Sequence, residues 1–420
     1  MFRRSATVNV GAGVRGLCVV DLDGDGFPEI VAYGRTLSVW KWTGSTLEDL
    51  SPYQLLPANH SPLLETIAAD FNGDGRDELL LRCGTKLYLI AHGPTGGLRI
   101  GTIPTVLDGP MFAWDRRGTG RYGVASGTRF FELEEQRIVE RFDFAPTDRF
   151  DRIVAVGPIV SAGRADVLVR MTAGNLGLFV NSGHGRFANL GSEAGLHKFD
   201  TDATEVLLVD AGRGDRAGFV LPNADAGHRL LMPQIDGIYR NRASPALAWP
   251  TAVSTLIAFD FDHDGSEELL LGHAEEASRL LRLPDGRPLD AGAAGLPMAD
   301  AVALDLDADG RLELVVLSGE SLHVLRPEVI GPMLRVEPRT RLGAPARGCT
   351  IHLETDTGRS MTRRLLGRSE PVAHFGFAPD ERPTRLILHR PDGSKRVLPL
   401  GGETNQLLTI QDAGTTEDIG

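Results

Sequence analysis

Four acidic segments of nine residues recur along the chain with the same order of residue types. They begin at Asp21, Asp70, Asp260 and Asp305 and read DLDGDGFPE, DFNGDGRDE, DFDHDGSEE and DLDADGRLE. Each has an acid or amide at positions 1, 3 and 5, glycine at position 6 and glutamate at position 9. Oxygen ligands on alternate residues of a tight turn suit a hard divalent cation, and glycine supplies the positive φ that the turn requires. The pattern predicts four cation-binding loops.

The flanks and the twelfth position exclude an EF-hand. That motif requires a glutamate at position 12 and a helix on each side, whereas position 12 holds Ala32, Leu81, Leu271 and Val316. Flanking runs such as GLCVV and EIVAYG are short, apolar and rich in β-branched residues, which predicts strands. A solvated Asp/Gly turn explains one such segment but not four in one register. Magnesium fits less well than calcium, because it prefers few carboxylates and several waters.

We therefore predict about four bound calcium ions, each between two strands. Side-chain oxygens at positions 1, 3, 5 and 9 and the backbone carbonyl at position 7 are the predicted ligands. These positions are Asp21, Asp23, Asp25, Phe27, Glu29, Asp70, Asn72, Asp74, Arg76, Glu78, Asp260, Asp262, Asp264, Ser266, Glu268, Asp305, Asp307, Asp309, Arg311 and Glu313.

Three degraded copies of the loop lie between the second and third acidic segments. They occur in AWDRRGTGRYGVA, PIVSAGRADVLV and DAGRGDRAGFVL, where other residue types replace most ligands. With these copies, position 1 falls at residues 21, 70, 115, 158, 210, 260 and 305, an interval of roughly 48 residues. A period of about 40–50 residues with about four strands is typical of a propeller blade. We predict an all-β fold with a seven-bladed β-propeller over residues 1–330.

Because the loops of blades 3–5 are degraded, we predict ions in blades 1, 2, 6 and 7 only. The metal-free arc of blades 3–5 is our predicted partner surface. The seventh unit ends near Pro327 with three strands, and the run ATVNV at residues 6–10 precedes the first complete unit. We expect that run to become the outer strand of the last blade, because closing the ring removes an exposed edge.

A second β-rich pattern begins after residue 330. MLRVEP, CTIHLET, SMTRRLL, TRLILHR, KRVLPL and QLLTIQ predict six strands. We predict a small β domain over residues 331–412 and a flexible tail over residues 413–420.

The seven units resemble FG-GAP or VCBS repeats, the integrin-α-type blades whose DxDxDG loops bind calcium between the first and second strands. The later segment HFGFAPDERPTRLILHRPDG is similar to the ASPIC/UnbV domain. The stretch 374–376 matches its His-Phe-Gly turn, and Pro391 and Gly393 match its second turn, where Arg390 replaces the usual tryptophan. Propeller followed by this domain is the arrangement of the cartilage-acidic-protein family, and GRFANLGSEAGL resembles a phrase of that family. The resemblance implies a calcium-binding, adhesive protein, with bacterial relatives found beside natural-product clusters.

The net charge of −12 does not indicate a partner. Fifteen carboxylates occupy predicted ligand positions of the four loops, so the rest of the chain carries a net charge of about +3. No basic run favours a nucleic-acid partner, and no apolar run approaches the ~18 residues of a membrane span. The three cysteines, Cys18, Cys83 and Cys349, are far apart and predict buried free thiols.

Composition also bears on the source and the compartment. The start of the chain lacks the ~7–15-residue apolar core of a secretory signal. That favours the cytoplasm, or the periplasm or extracellular space if a leader was removed. Only four of the 44 basic residues are lysine, which suggests a GC-rich bacterial source.

The leading functional hypothesis is a non-enzymatic scaffold with structural calcium that binds another protein or mediates adhesion. An accessory subunit of a larger complex or of a natural-product pathway is a second hypothesis. A hydrolase or lyase with a site in the propeller channel is a third, although HExxH and GxSxG motifs are absent from the sequence. His60, His92 and His374 are better explained by packing or turns, so no catalytic residue is predicted.

Overall fold

The computed structural model describes most of the 420 residues. The described ranges are 2–50, 62–84, 86–92, 98–104, 107–134, 137–143, 149–183, 186–212, 216–223, 227–242, 246–248, 252–283, 285–328, 331–366 and 368–411. The predicted tail at 413–420 and His60 lie outside them. Within these ranges the fold is all-β, as predicted, and the helical segments are two 3₁₀ turns at Leu196–Lys198 and Gly292–Gly295.

Seven four-stranded antiparallel sheets follow one another along the described chain, and we call them blades 1–7. Blade 1 contains β2 (Val14–Val20), β3 (Glu29–Gly34), β4 (Leu37–Trp42) and β5 (Leu47–Asp49). Blade 2 contains β6 (Leu63–Ala69), β7 (Glu78–Cys83), β8 (Lys86–His92) and β9 (Leu98–Pro104). Blade 3 contains β10 (Phe112–Trp114), β11 (Gly123–Ser126), β12 (Arg129–Glu134) and β13 (Arg137–Asp143). Blade 4 contains β14 (Phe150–Gly157), β15 (Asp166–Met171), β16 (Leu176–Gly183) and β17 (Arg186–Asn189).

The remaining blades have the same strand order. Blade 5 contains β18 (Leu207–Asp210), β19 (Ala217–Leu221), β20 (Arg229–Pro233) and β21 (Tyr239–Asn241). Blade 6 contains β22 (Thr255–Phe259), β23 (Glu268–Gly272), β24 (Arg279–Arg282) and β25 (Arg287–Leu289). Blade 7 contains β26 (Asp300–Leu304), β27 (Glu313–Ser318), β28 (Ser321–Pro327) and, as its outer strand, β1 (Phe2–Asn9).

The first strand of each blade contacts the first strands of both neighbouring blades, so the blades form a closed ring. The pairing of β1 with β28 joins the two ends of the ring, with Phe2 opposite Pro327 and Asn9 opposite Ser321. The predicted closure by the early strand is therefore confirmed. Closure leaves the ring without a free first or last blade edge.

The apolar core lies between adjacent blades. The second strands β3, β7 and β27 are buried almost throughout, because each is covered by a blade on both of its faces. That position explains their continuous apolar sequences, such as EIVAYG and ELVVLS, in place of a strict alternation. Cys18, Cys83 and Cys349 are buried free thiols, as predicted.

Residues 333–411 form two further sheets, to which we refer together as the C-terminal domain. Their strands are β29 (Met333–Arg339), β30 (Thr350–Thr355), β31 (Ser360–Arg364), β32 (Ala373–Gly376), β33 (Pro383–His389), β34 (Lys395–Pro399) and β35 (Gln406–Gln411). One sheet has the strand order β31-β30-β33-β34 and the other the order β32-β29-β35. The parallel pairing of β29 with β35 brings the two ends of the domain together.

The C-terminal domain lies across the side of the propeller that carries the loops between first and second strands. In blade 3 the Tyr122 hydroxyl donates to the Arg347 carbonyl at 2.8 Å. In blade 4 the Arg364 side chain donates to the Pro158 carbonyl at 3.0 Å, and in blade 5 the Thr362 amide donates to Asp210 at 3.0 Å. The arc of blades 3–5 is thus covered on this side by the same chain. Part of the partner surface predicted there is therefore occupied by the C-terminal domain, and the rest of it stays a prediction.

Candidate metal centres

In blades 1, 2 and 7 the aspartate at position 1 holds the acidic loop in its tight turn by accepting loop amides. Asp21 accepts hydrogen bonds from the amides of Gly24 and Gly26 at 2.8 and 3.0 Å. Asp70 does the same with Gly73 and Gly75 at 2.5 and 3.0 Å. These bonds satisfy donors that the turn would otherwise leave without partners.

The predicted glycine at position 6 has a left-handed backbone in all four loops, with φ between 87 and 92°. The structure also requires a positive φ at position 4, which sequence reasoning missed. His263 and Ala308 occupy that position in blades 6 and 7 with φ of 55 and 58°, where the first two loops have glycine. A non-glycine residue in this region is uncommon, so the surrounding contacts must hold the turn.

The glutamate at position 9 is the first residue of the second strand and turns back over the loop. One of its oxygens accepts the amide of position 2 in all four loops. The donors are Leu22, Phe71, Phe261 and Leu306, at 2.8–2.9 Å. The other oxygen, Oε1, is contacted by Lys41 in blade 1, by Asn72 in blade 2 and by Arg326 in blade 7, and in blade 6 it has no hydrogen-bond partner.

Four groups of carboxylates result, one in each acidic loop. Within a group, one oxygen of each of three residues lies within 4.8 Å of the others. The groups are Asp21, Asp23 and Glu29; Asp70, Asp74 and Glu78; Asp260, Asp262 and Glu268; and Asp305, Asp307 and Glu313. They belong to blades 1, 2, 6 and 7, the four blades predicted to hold ions.

Other predicted side-chain ligands form hydrogen bonds within their own loops. Asp25, Asp264 and Asp309 at position 5 instead accept the backbone amide two residues further along. The amide of Asn72 donates to Asp74 and Glu78 at 3.0 and 2.8 Å. The carbonyl ligands predicted at Phe27, Arg76, Ser266 and Arg311 stay a prediction.

Burial makes these carboxylates poor anions in the absence of a cation. Glu78 and Glu268 are fully buried, and burial is the largest of the effects that raise the pKa of each to about 9. Burial likewise raises the pKa of Glu313 to about 8. Glu268 Oε1 and Asp260 Oδ1 are buried without a hydrogen-bond partner. Such atoms are destabilising unless a positive group completes their surroundings. The donor set therefore fits a hard divalent cation.

The degraded loops show how the fold manages without such a site. In blade 3 both oxygens of Asp115 accept loop amides, from Thr119 at 3.0 Å and Gly120 at 2.7 Å. In blade 4 Asp166 accepts the amides of Ile159, Val160 and Asn181 at 2.8–3.2 Å. In both blades a single carboxylate is thus satisfied by backbone donors.

Basic side chains of the propeller also reach the acidic loops, and sequence reasoning did not anticipate them. The Lys41 ammonium lies 2.5 Å from Asp23, 2.7 Å from Asp25 and 3.0 Å from Glu29. Hairpin register could have found this residue, because Ile30 pairs with Trp40 and so places Lys41 across from Glu29. Arg326 contacts the loop of blade 7 in the same way.

Arginines of the C-terminal domain bind the position-1 aspartates of two loops. Arg363, itself buried, donates to Asp260 Oδ2 at 3.1 Å and to the Gly265 carbonyl at 3.3 Å. The Gly376 amide donates to the same Asp260 oxygen at 2.8 Å. Arg335 forms an ion pair with Asp305. One oxygen of Asp260 thus joins the domains, and its other oxygen faces the loop. No sequence pattern indicated these long-range pairs.

The His-Phe-Gly turn of the C-terminal domain packs against the loop of blade 6. A Cβ atom at Gly376 would lie 2.1 Å from the His263 carbonyl carbon, so only glycine fits there. His374 is buried, and burial lowers its pKa to about 3, which keeps the ring neutral. These contacts support the interpretation of the turn as structural.

Comparison with known proteins agrees with this arrangement. A family model for the FG-GAP-like repeat matches residues 21–81. Cartilage acidic protein 1 of Xenopus tropicalis is 28% identical over 473 residues, covering 94% of this chain and 73% of the relative. Cartilage acidic protein 1 of Homo sapiens is 29% identical over 486 residues, covering 96% and 73%. Two solved structures of BBS1N in complex with ARL6DN, soaked with mercury and with lead, have TM-scores of 0.51 and 0.50 at 12 and 13% identity. Both cover 78% of this chain and 97% of that chain, and they show the fold alone.

In class, the chain is a β-propeller with FG-GAP-like repeats and a C-terminal β domain. Its similarity to cartilage acidic protein 1 along nearly its whole length confirms the predicted resemblance to the cartilage-acidic-protein family with its ASPIC/UnbV domain. No helix in the described part of the chain is both long and apolar enough to cross a bilayer.

Proposed function

We propose that this protein is a non-enzymatic scaffold in which four calcium ions stabilise the propeller, and that the assembled protein binds a protein partner. The observation that supports the metal sites most strongly is the blade 6 cluster. There Glu268 Oε1 and Asp260 Oδ1 are buried without a partner beside Asp262. Calcium is favoured because it accepts several carboxylates in a flexible shell.

The proposed role of the metal is structural. Position 1, which directly follows the first strand of the blade, and position 9, the first residue of the second strand, would both hold the ion. Because the unfolded chain has no assembled cluster, binding adds to folding stability, by about 2.7 kcal/mol per site at a free concentration one hundred times the Kd.

Two measurements test the proposal. Metal analysis after dialysis against calcium should give about four ions per chain. Thermal unfolding should show a higher midpoint with calcium than after the metal has been stripped on a chelating resin. An unchanged midpoint, or no bound metal, contradicts a structural calcium role.

The proposed partner is another protein. The protein would bind it either in adhesion or as a subunit of a larger assembly. The propeller fold and the similarity to cartilage acidic protein 1 favour a scaffold. We further propose the domain division at residues 330–331 and assign recognition to the C-terminal domain and to the propeller side opposite the acidic loops. Cross-linking in the source cell followed by deletion of residues 331–412 separates these two surfaces, because only one of them is removed.

One observation favours a second candidate, a channel enzyme such as a hydrolase or lyase. A cavity of about 500 Å³ is lined by the first strands of blades 5 and 6 and by the C-terminal domain, and its lining includes Arg363, Arg368, Glu205, Asp300 and His374. Arg368 lies 3.4 Å from Glu205 and 3.5 Å from Asp300, so basic and acidic groups meet in a concave site. Turnover of an ester or a uronic-acid polymer that is abolished by R368M would favour this candidate over the scaffold.

A further inference from the structure

One position of the third strand faces the glutamate of each acidic loop. In blade 6 the strand register pairs Glu268 with Arg282. In blade 7 Leu314 pairs with Leu325, so Arg326 takes the same place across from Glu313. In blade 1 this residue is Lys41. A basic residue thus occupies the same position in three of the four metal blades.

Blade 2 is the exception. Leu79 pairs with Ile90, which puts Ala91 at the position across from Glu78. Within the described residues, no lysine or arginine forms an ion pair with Asp70, Asp74 or Glu78; the side-chain amide of Asn72 donates to Asp74 and Glu78 instead.

The contacts of the basic residues differ from blade to blade. Lys41 contacts three carboxylates, Asp23, Asp25 and Glu29, at 2.5–3.0 Å. Arg326 contacts two, with Asp307 at 2.5 Å and Glu313 at 3.1 Å. Among the described residues, the ion pair of Arg282 is with Asp264, at 2.6 Å.

We propose that this position sets the calcium affinity of each blade, because a basic residue there acts as a tethered counter-ion that a calcium ion must displace. The inference rests on the proposed calcium function. It ranks the sites: blade 2 binds most tightly and blade 1 most weakly, with blades 6 and 7 between them.

The physical reason is competition for the same oxygens. Lys41 touches carboxylates at positions 3, 5 and 9, and those oxygens are also predicted calcium ligands. Calcium must break these contacts and then tolerate a nearby positive charge. The same side chain stabilises the loop when calcium is scarce, because it neutralises part of the acidic charge. In blade 2 neither effect operates, so the metal-free loop is the least stable and the calcium-bound loop gains the most.

The experiment titrates the full-length, metal-stripped protein with calcium chloride by isothermal calorimetry. Two ligand variants assign the binding steps: D70N should remove the tightest step and D21N the weakest. K41M should tighten the weakest step by about tenfold or more, since one unit charge at hydrogen-bonding distance is removed. A91K should weaken the tightest step by a similar factor. K395M is the matched control, because Lys395 is exposed on an edge strand of the C-terminal domain.

Thermal unfolding of the metal-free variants provides a second readout, in which loss of the basic residue should be destabilising although it tightens calcium binding. Without calcium, K41M should unfold at a lower temperature than both the wild type and K395M. Added calcium should raise the unfolding temperature of K41M by more than that of the other two proteins. K41M alone carries the test if A91K fails to fold by circular dichroism.

Three results overturn the inference. The first is a calcium affinity of the weakest step in K41M that lies within twofold of the wild-type value. The second is removal of the weakest binding step, and not the tightest, by D70N. The third is an unchanged metal-free midpoint in K41M. In all three the wild type still binds calcium, so the proposed function survives. Absence of any binding in the wild type defeats that function itself.

Discussion

Replacement of Arg363 by methionine should loosen the contact between the C-terminal domain and the propeller. Arg363 is 5% exposed and its partner Asp260 is fully buried, 3.1 Å away. Its guanidinium also donates to the carbonyls of His374 at 2.9 Å and Thr362 at 3.1 Å. The aliphatic part of methionine keeps most of the volume but removes the charge. Asp260 is then left in the interface with the Gly376 amide as its remaining C-terminal donor.

The expected loss is about 3–5 kcal/mol in the free energy of unfolding, the usual effect of removing one member of a buried ion pair. Calcium should reduce the loss, because an ion in blade 6 neutralises Asp260 from its other oxygen. The control is R385M. Arg385 is 47% exposed at the side chain and lies 3.3 Å from Glu354, which is 41% exposed. Such a pair is worth at most about 1 kcal/mol.

The assay is urea unfolding of both variants and the wild type, in calcium and after metal stripping. The double variant R363M/D260N should recover part of the loss, because it no longer buries an unpaired charge. If R363M unfolds at the same urea concentration as R385M, this ion pair does not hold the domains together, and the reasoning from burial is wrong.

Three further perturbations test other parts of the molecule. Near neutral pH, E268Q should stabilise the metal-free protein, because burial forces Glu268 to take up a proton on folding and glutamine does not need one. E268Q should also lose the calcium increment of one site, because it removes a ligand; E275Q, at an exposed position, is the control for thermal unfolding and metal analysis. The metal-free protein should lose stability as pH rises from about 5 to 9, because the folded pKa values of Glu78, Glu268 and Glu313, at about 9, 9 and 8, exceed the pKa of an unfolded carboxyl. Calcium should remove this dependence of unfolding free energy on pH. An equal pH dependence with and without calcium contradicts the assignment of these glutamates as calcium ligands. F2A should cost about 3–5 kcal/mol in unfolding free energy, because Phe2 is buried and its ring packs edge-on against Phe261 at 5.1 Å where the ring closes; a change below about 1 kcal/mol means that closure does not depend on this contact.

Local rules explain why the loops could be predicted. The turn needs a left-handed glycine, alternating oxygens and a glutamate at the start of the next strand, and all of these lie within nine residues of one another. The structure shows the predicted φ at Gly26 and the predicted grouping of Asp21, Asp23 and Glu29. The repeat period then predicted the blades, because each blade is one local four-stranded unit.

Cross-strand and cross-domain contacts required the tertiary structure. Lys41 is twelve residues from Glu29, and only the hairpin register places it in the acidic loop. Arg363 is more than one hundred residues from Asp260, and no periodicity relates them. The sequence alone determined which residues form acidic turns between strands, since that depends on backbone conformation and charge within a few residues. The tertiary structure decided which positive groups face those turns and where the C-terminal domain lies, because those contacts depend on how distant surfaces pack.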